Sequence, residues 1–332
     1  MIDVSNYIVE NISTLFGPSY DPPIKIDIVQ KRFTSVVYFC KIYFDNRVIK
    51  KIVIKHYDDG HSSRLSSLKN EYGFSTKHYE SFNSEDIGIP KYIHFDPQKE
   101  LVVFDYIENS RTLEKTLLAS HKGFNSRTLD NIFYNSGMWL ARFHSINAKP
   151  TNYEISPFNL ISEIKDKWVQ EFDNQNEIQN DLKYQIYNAV SEGRSCGLSL
   201  LHKEYAPGNI LHVGNRVYGI DFGTPERGCV LDDVAYFIIS TLVLNNFPKH
   251  PFYKKIRYDS NEIRNFCAGY LSCSDINENI FDTHLFHFFL YKNLIRRIST
   301  HLRKSDRYSK YVNFAIKPVI YNIFHRAKKD II

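Results

Sequence analysis

The stretch LLHKEYAPGNILHVGNRVYGIDFG, Leu200–Gly223, decides how this 332-residue chain is read. It begins with a loop carrying His202, Glu204 and Asn209 around a Pro-Gly pair. Two short apolar strands then flank the polar turn Gly214-Asn215, and the segment closes on Asp221-Phe222-Gly223. An antiparallel hairpin of that register predicts that Asn209 and Asp221 come to the same end. A carboxamide oxygen and a carboxylate are hard donors that suit Mg²⁺, which keeps few protein ligands and leaves room for phosphate oxygens. A second carboxylate, Glu204, stands five residues before the Asn, where it can orient or deprotonate an attacking hydroxyl. These are the needs of phosphoryl transfer, in which catalysis is positioning plus charge neutralisation.

With LDDVAYF beginning at Leu231, the pattern resembles the aminoglycoside phosphotransferase and choline kinase group of the protein-kinase-like fold. That group carries His-x-Asp-x-x-x-x-Asn, a strand pair, Asp-Phe/Trp-Gly, and an Asp ahead of an apolar helix. His202, Asn209, Asp221 and Asp233 fall on that spacing. The resemblance implies an α+β, bilobal architecture: an N-terminal antiparallel sheet with one helix, then a mostly helical C-terminal lobe. It implies a nucleotide-binding lobe over 1–108 and a lobe with catalytic loop and acceptor pocket over 109–332.

The pattern upstream agrees with that expectation. IKIDIV, VVYFCKIYF and RVIKKIVIKHY read as strands, the last two joined at Asp45-Asn46, and Ser63 to Tyr79 reads as a helix. KYIHFDPQKELVVFDYIEN adds two more strands about an Asp-Pro turn. After Asn109 the periodicity turns helical, with Phe133, Gly137, Leu140 and His144 on one stripe.

By the resemblance, Lys55 reaches the nucleotide phosphates and Glu71 on the next helix holds it, while Lys50 and Lys51 lie too near the strand start. Asp105, Tyr106 and Ile107 would form the hinge against adenine. Thr34 and Ser35, with Lys31 or Arg32, would stand in the phosphate-facing loop QKRFTS, which has no glycine. The resemblance implies ATP or GTP as co-substrate, with Mg²⁺. His202 and Asp233 are expected to be architectural.

Glu204 stands where the group has Asp. One extra methylene moves a carboxylate by roughly 1 Å, and a misplacement of that size can cost ~10²-fold in rate. Two readings follow: an active small-molecule kinase, or a pseudokinase-type nucleotide-binding scaffold. Cys229 stands where the group often has a further Asp and reads as a small packed residue. Only TPERGCVLD lies between Gly223 and Asp233, too little chain for the peptide-docking shelf of protein kinases. The acceptor is therefore expected to be a small-molecule hydroxyl, on a sugar, a nucleoside or an anionic metabolite. Its pocket would draw on Trp168, Tyr205, Tyr236 and Phe286.

Composition sets the remaining bounds. Hydrophobic residues are 43% and aromatics 15%, as in an ordinary folded protein. The start lacks a basic segment before an apolar core, so a secretory signal is not expected, and the longest apolar run, Val234 to Leu244, is too short to span a bilayer. The five cysteines are scattered without a CxxC pair, which reads as reduced thiols in a cytoplasmic protein. Net charge is +5, yet from Lys292 onward eleven Lys/Arg face two Asp. That surplus suits an anionic membrane surface, an anionic substrate or a solvated helix face alike. No aromatic platform accompanies it, so nucleic acid is not an expected partner. His284 and His287 are one turn apart without a third ligand and read as core or pocket lining rather than a metal site.

Overall fold

The computed structural model describes residues 2–17, 25–32, 35–44, 47–57, 62–119, 126–149, 151–164, 170, 175–193, 195–223, 226–246, 260–276 and 278–304. The chain forms two compact units, Met1–Ser110 with Ile220–Pro225, and Arg111–Gly219 with Glu226–Ile332.

The first unit is built on a five-stranded antiparallel sheet. Its strands are β1 (Lys25–Arg32), β2 (Val36–Phe44), β3 (Arg47–His56), β5 (Tyr92–Asp96) and β6 (Leu101–Asp105), in the order β1-β2-β3-β6-β5. A two-residue strand, β4 (Ile87–Gly88), follows the helix α3 (Ser62–Phe82). Alternation sorts the side chains by face. Val36, Tyr38, Cys40 and Ile42 of β2 and Ile52 and Ile54 of β3 share one core with Val4, Tyr7, Ile8 and Leu15 of two N-terminal helices, α1 (Val4–Glu10) and α2 (Ile12–Phe16). Lys55, out of phase with Ile52 and Ile54, belongs to the other face. The strand-dominated reading of this region missed α1 and α2. The first is capped by the Asp3 carboxylate, which accepts from the Asn6 N–H. The backbone of β1 runs on through Arg32, further than the IKIDIV run suggested, while Thr34 and the Asp45-Asn46 turn lie outside the described residues.

In the second unit, β7 (Arg111–Thr112) pairs with the hairpin β10 (Ile210–Val213) and β11 (Arg216–Gly219), whose register sets Ile210 opposite Gly219. A second small sheet orders as β12-β9-β8, from Arg227–Cys229, Cys196–Leu200 and Asn152–Tyr153. The helices are α4 (Leu113–Ala119), α5 (Ser126–Asn147), α6 (Pro157–Ser162), α7 (Gln175–Glu192), α8 (Leu231–Asn246), α9 (Asn261–Ser272) and α10 (His284–Lys304). Helices α5 and α9 meet backbone to backbone. A Cβ added at Gly137 would come within 2.0 Å of the Phe266 carbonyl oxygen, and one at Gly269 within 1.9 Å of that of Tyr134, so both sites exclude any side chain. The apolar run Val234 to Leu244 lies within α8, and no helix among the described residues is long and apolar enough to cross a membrane.

One sequence expectation fails outright. Cys196 and Cys229 form a disulfide with Cα atoms 5.8 Å apart, whereas all five cysteines were expected to be reduced and Cys229 merely packed. The strand β12 was not legible before the structure, and it is the pairing of Gly228 with Ser199 and Cys229 with Leu198 that carries Cys229 to the start of β9. Cys40, Cys267 and Cys273 are free thiols.

Candidate active site

Lys55 sits mid-sheet, opposite Val37 of β2 and Val102 of β6. Its ammonium lies 2.7 Å from Oε1 of Glu71 on α3 and 2.6 Å from Oδ1 of Asp221. Lys55 and Glu71 are buried, and the Tyr92 hydroxyl donates to Glu71 Oε2 at 2.7 Å. Burial alone would pull the Lys55 pKa down; Glu71 and Asp221 more than reverse this and hold the ammonium above its ordinary range. Burial raises Glu71, while Lys55 and the Tyr92 hydroxyl oppose that rise. Lys50 and Lys51 pair elsewhere, with Asp105 at 2.5 Å and Glu108 at 2.7 Å.

Asp221 holds an unusual backbone, φ +65°, a left-handed conformation that costs a non-glycine residue free energy and is found mostly where structure around it enforces it. The enforcement comes from both neighbours. Phe222 is buried against Phe74 and Tyr92, with ring centroids 5.2 and 6.3 Å away. The Gly223 carbonyl accepts from Asn70 Nδ2 at 3.1 Å, and a Cβ at Gly223 would lie 2.3 Å from the Ser67 carbonyl oxygen. These contacts are why Ile220–Pro225 belong to the first unit, although the sequence reading assigned the whole segment to the second.

The stretch expected to hold adenine closes β6. The Asp105 N–H donates to the Lys91 carbonyl at 2.9 Å and that of Tyr106 to the Lys51 carbonyl at 3.2 Å, while the Ile107 carbonyl accepts from Ser110 at 3.4 Å. The backbone donors of Asp105 and Tyr106 are thus committed within the sheet. Ser35, just before β2, is buried.

In the second unit, the loop between β9 and β10 is pinned from below. Asp233, near the start of α8, accepts from the backbone N–H groups of His202 at 2.5 Å and Lys203 at 2.8 Å. The same carboxylate meets His144 Nε2 at 3.1 Å, and His144 Nδ1 meets the Tyr270 hydroxyl at 2.9 Å. His202 is fully buried among Trp139, Phe143 and Tyr205, at ring separations of 5.8, 6.1 and 5.2 Å. The resemblance had marked Asp233 and His202 as architectural; nothing in the spacing pointed to His144 as the third member. Lys203 takes φ +65°, and the exposed Glu204 follows it.

Asn209, in the 3-10 turn Pro207–Asn209, donates from Nδ2 to the Glu204 carbonyl at 2.9 Å. Its carboxamide nitrogen is thereby committed, which leaves Oδ1 as the group to offer a ligand. Asn209 Oδ1 in the second unit and the Asp221 carboxylate in the first, its side chain 39% exposed, are each hard oxygen donors of the kind a magnesium-type cation takes. Among the described residues no group of three His, Cys, Asp or Glu could hold a metal, and His284 meets Gln185 Oε1 at 3.1 Å. Tyr205 is buried and gives its hydroxyl to the Ser136 carbonyl at 2.8 Å, and Phe286 is wholly buried, so neither lines a pocket as expected; Trp168 lies outside the described residues.

The sequence reading also missed a chain of alternating charges under the loop. Lys203 Nζ lies 2.7 Å from Glu226 and 3.4 Å from Asp232, and Lys292 Nζ lies 2.7 Å from Asp232 and 3.0 Å from Glu163. Burial would raise the Asp232 pKa, but Lys292 and Lys203 hold it far below the usual carboxylate range.

No protein-family model and no curated protein matches the chain. Solved structures do. A choline kinase from Cryptosporidium parvum Iowa II superposes with a TM-score of 0.62 at 16% identity, over 99% of this chain and 98% of that one. A glucosamine kinase in complex with glucosamine, ADP and inorganic phosphate gives 0.58 at 12%, over 93% and 84%. The amicoumacin kinase hAmiN in complex with AMP-PNP, Ca²⁺ and Ami gives 0.55 at 13%, over 96% and 93%. The chain has the α+β, protein-kinase-like fold of these small-molecule kinases.

Proposed function

We propose that this protein is a small-molecule kinase that transfers the γ-phosphate of ATP, or of GTP, to a hydroxyl group. The observation that carries the reading is the Lys55 ammonium held between Glu71 and Asp221. A buried lysine fixed by two carboxylates from distant parts of the chain is costly to build. It is also the arrangement that phosphoryl transfer requires for gripping phosphates beside a metal ligand. The fold is shared with proteins named as kinases, one of them solved with ADP and another with AMP-PNP and Ca²⁺.

In this reading Lys55, kept in place by Glu71, pairs with nucleotide phosphate oxygens. Asn209 Oδ1 and the Asp221 carboxylate would hold Mg²⁺, which when bound neutralises charge on the β- and γ-phosphates. The Asp105 to Ile107 stretch receives adenine; with the Asp105 and Tyr106 amides already committed, those two residues offer their carbonyls. By the family resemblance, Ser35 and Thr34 would face the phosphates. Glu204 accepts the proton of the acceptor hydroxyl as its oxygen bonds to the γ-phosphorus. The bond from that phosphorus to the bridging oxygen breaks, and the nucleoside diphosphate leaves with the electron pair. The buried His144–Asp233 pair sets the loop that presents Glu204, and 1–108 would serve the nucleotide and 109–332 the acceptor, with Ile220–Pro225 counted to the first.

Glu204 favours a second reading, a nucleotide-binding scaffold with impaired turnover. The test covers both. Mg²⁺-dependent ATP hydrolysis without acceptor is expected from the native protein and is lost in Asp221→Ala. Hydrolysis indifferent to that change overturns the kinase reading. Nucleotide binding without turnover in the native protein, with turnover appearing in Glu204→Asp, establishes the scaffold.

A cytoplasmic location is the companion expectation, and the Cys196–Cys229 disulfide is its test, since such bonds persist mainly in oxidising compartments. Thiol trapping in cells that finds both cysteines reduced supports the cytoplasm; a stable disulfide places the protein elsewhere.

A further inference from the structure

The charge chain Glu226–Lys203–Asp232–Lys292–Glu163 is internally compensated, with one surplus negative charge. Beside it, α10 carries Arg296 and Arg297. Arg296 Nη1 donates to the Lys203 carbonyl at 3.3 Å, one residue before Glu204, and its guanidinium lies 4.6 Å from the Tyr236 ring. Arg297 lies 5.6 Å from the same ring and donates to the Tyr236 hydroxyl at 3.3 Å. Two like charges are thus gathered on one phenol next to the catalytic loop. Arg297 Nε is buried with no hydrogen-bond partner, and among the described residues no carboxylate pairs with Arg297. Cation–π contact and one hydroxyl recover only part of what a guanidinium loses on leaving water. An anion bonded to both side chains would satisfy the orphaned Arg297 donor, and the planar fork of arginine suits phosphate and carboxylate.

We propose that Arg296, Arg297 and Tyr236 form an anion subsite for the acceptor. The molecule phosphorylated is then an alcohol that already bears a phosphate or carboxylate, seated there while its hydroxyl meets Glu204. This inference rests on the kinase reading above and narrows its substrate class. Lys203 links the two: its carbonyl is held by Arg296, and its neighbour is the proton acceptor.

The test is equilibrium binding of glucose 6-phosphate and gluconate, against glucose and choline, to the full chain saturated with Mg²⁺–ADP. The two anions are expected to bind and the neutral and cationic probes not to. Arg297→Gln should weaken anion binding about tenfold or more, the scale of losing one charge-assisted pair, and Tyr236→Phe, which keeps the ring, should weaken it less. Absence of anion binding, anion binding unchanged in Arg297→Gln and Arg296→Gln, or preference for choline overturns the inference. So does a loss confined to ADP affinity, which would assign the arginines to the nucleotide. Failure of the kinase reading shows separately, as Asp221→Ala leaving ATP hydrolysis intact.

Discussion

The ammonium of Lys55 lies 2.6 Å from a carboxylate oxygen of Asp221, a residue 166 positions further along the chain. Glu71, the other anion on that ammonium, is buried and cannot exchange Lys55 for water. Lys55→Met is therefore expected to lower stability by about 3 kcal/mol, because it strands a buried charge. Lys55→Met with Glu71→Gln should be less costly than either change predicts by addition. Urea unfolding of the two single variants and the double variant checks this; additive losses would mean that the pair is not coupled.

Asp233 is the support on which the loop between β9 and β10 rests. Asp233→Ala frees two backbone N–H groups and His144 in a buried place, which should cost about 3 kcal/mol and lower kcat by ~10²-fold or more. Asp233→Asn keeps one acceptor oxygen and should recover part of both. Thermal melts with single-turnover rates separate the two effects.

The fold was legible because its deciding residues lie close together in sequence. His202, Asn209, Asp221 and Asp233 keep a spacing set by one loop, one hairpin and one helix start, and Lys55 and Glu71 follow from that frame. What stayed hidden depends on contacts between distant segments. Cys229 faces Cys196 only through strand pairing, His144 reaches Asp233 from another helix, and from α10 Lys292 reaches Asp232 and Arg296 reaches the Lys203 carbonyl. The helix α1 was hidden because its core positions, Val4, Tyr7 and Ile8, are too few to show a clear period in so short an element.

The disulfide should stabilise the native state by roughly 3–4 kcal/mol through loop closure across its 33-residue separation. Cys196→Ser with Cys229→Ser, or reductant on the native chain, should lower the denaturant midpoint accordingly. Burial pushes the Cys40 thiol up to about 12, so native alkylation should spare it and mark the exposed Cys273. Mass spectrometry that finds Cys196 labelled without reduction would contradict the bond.

Acid should weaken the fold through His287. Burial, and then the neighbouring His284, lower its pKa to about 4, below the ordinary imidazole value, so the native state keeps it neutral while the unfolded chain protonates. Its contribution is complete above about pH 6.5 and fades as pH falls towards 4, by up to about 3 kcal/mol. His287→Gln should flatten the change in melting temperature between pH 7 and pH 4.5; an undiminished slope would place the acid sensitivity elsewhere.

The six residues Ile220–Pro225 give the molecule a property that neither unit has alone. The polypeptide passes from one unit to the other at Ser110, returns at Ile220 and departs again after Pro225, so no single cut of the gene yields both units whole. A fragment ending at Ser110 would encode the complete sheet with its Lys55–Glu71 pair but would lack the second anion that steadies Lys55. Co-expressed halves, rather than isolated ones, are the form in which this chain should tolerate being split.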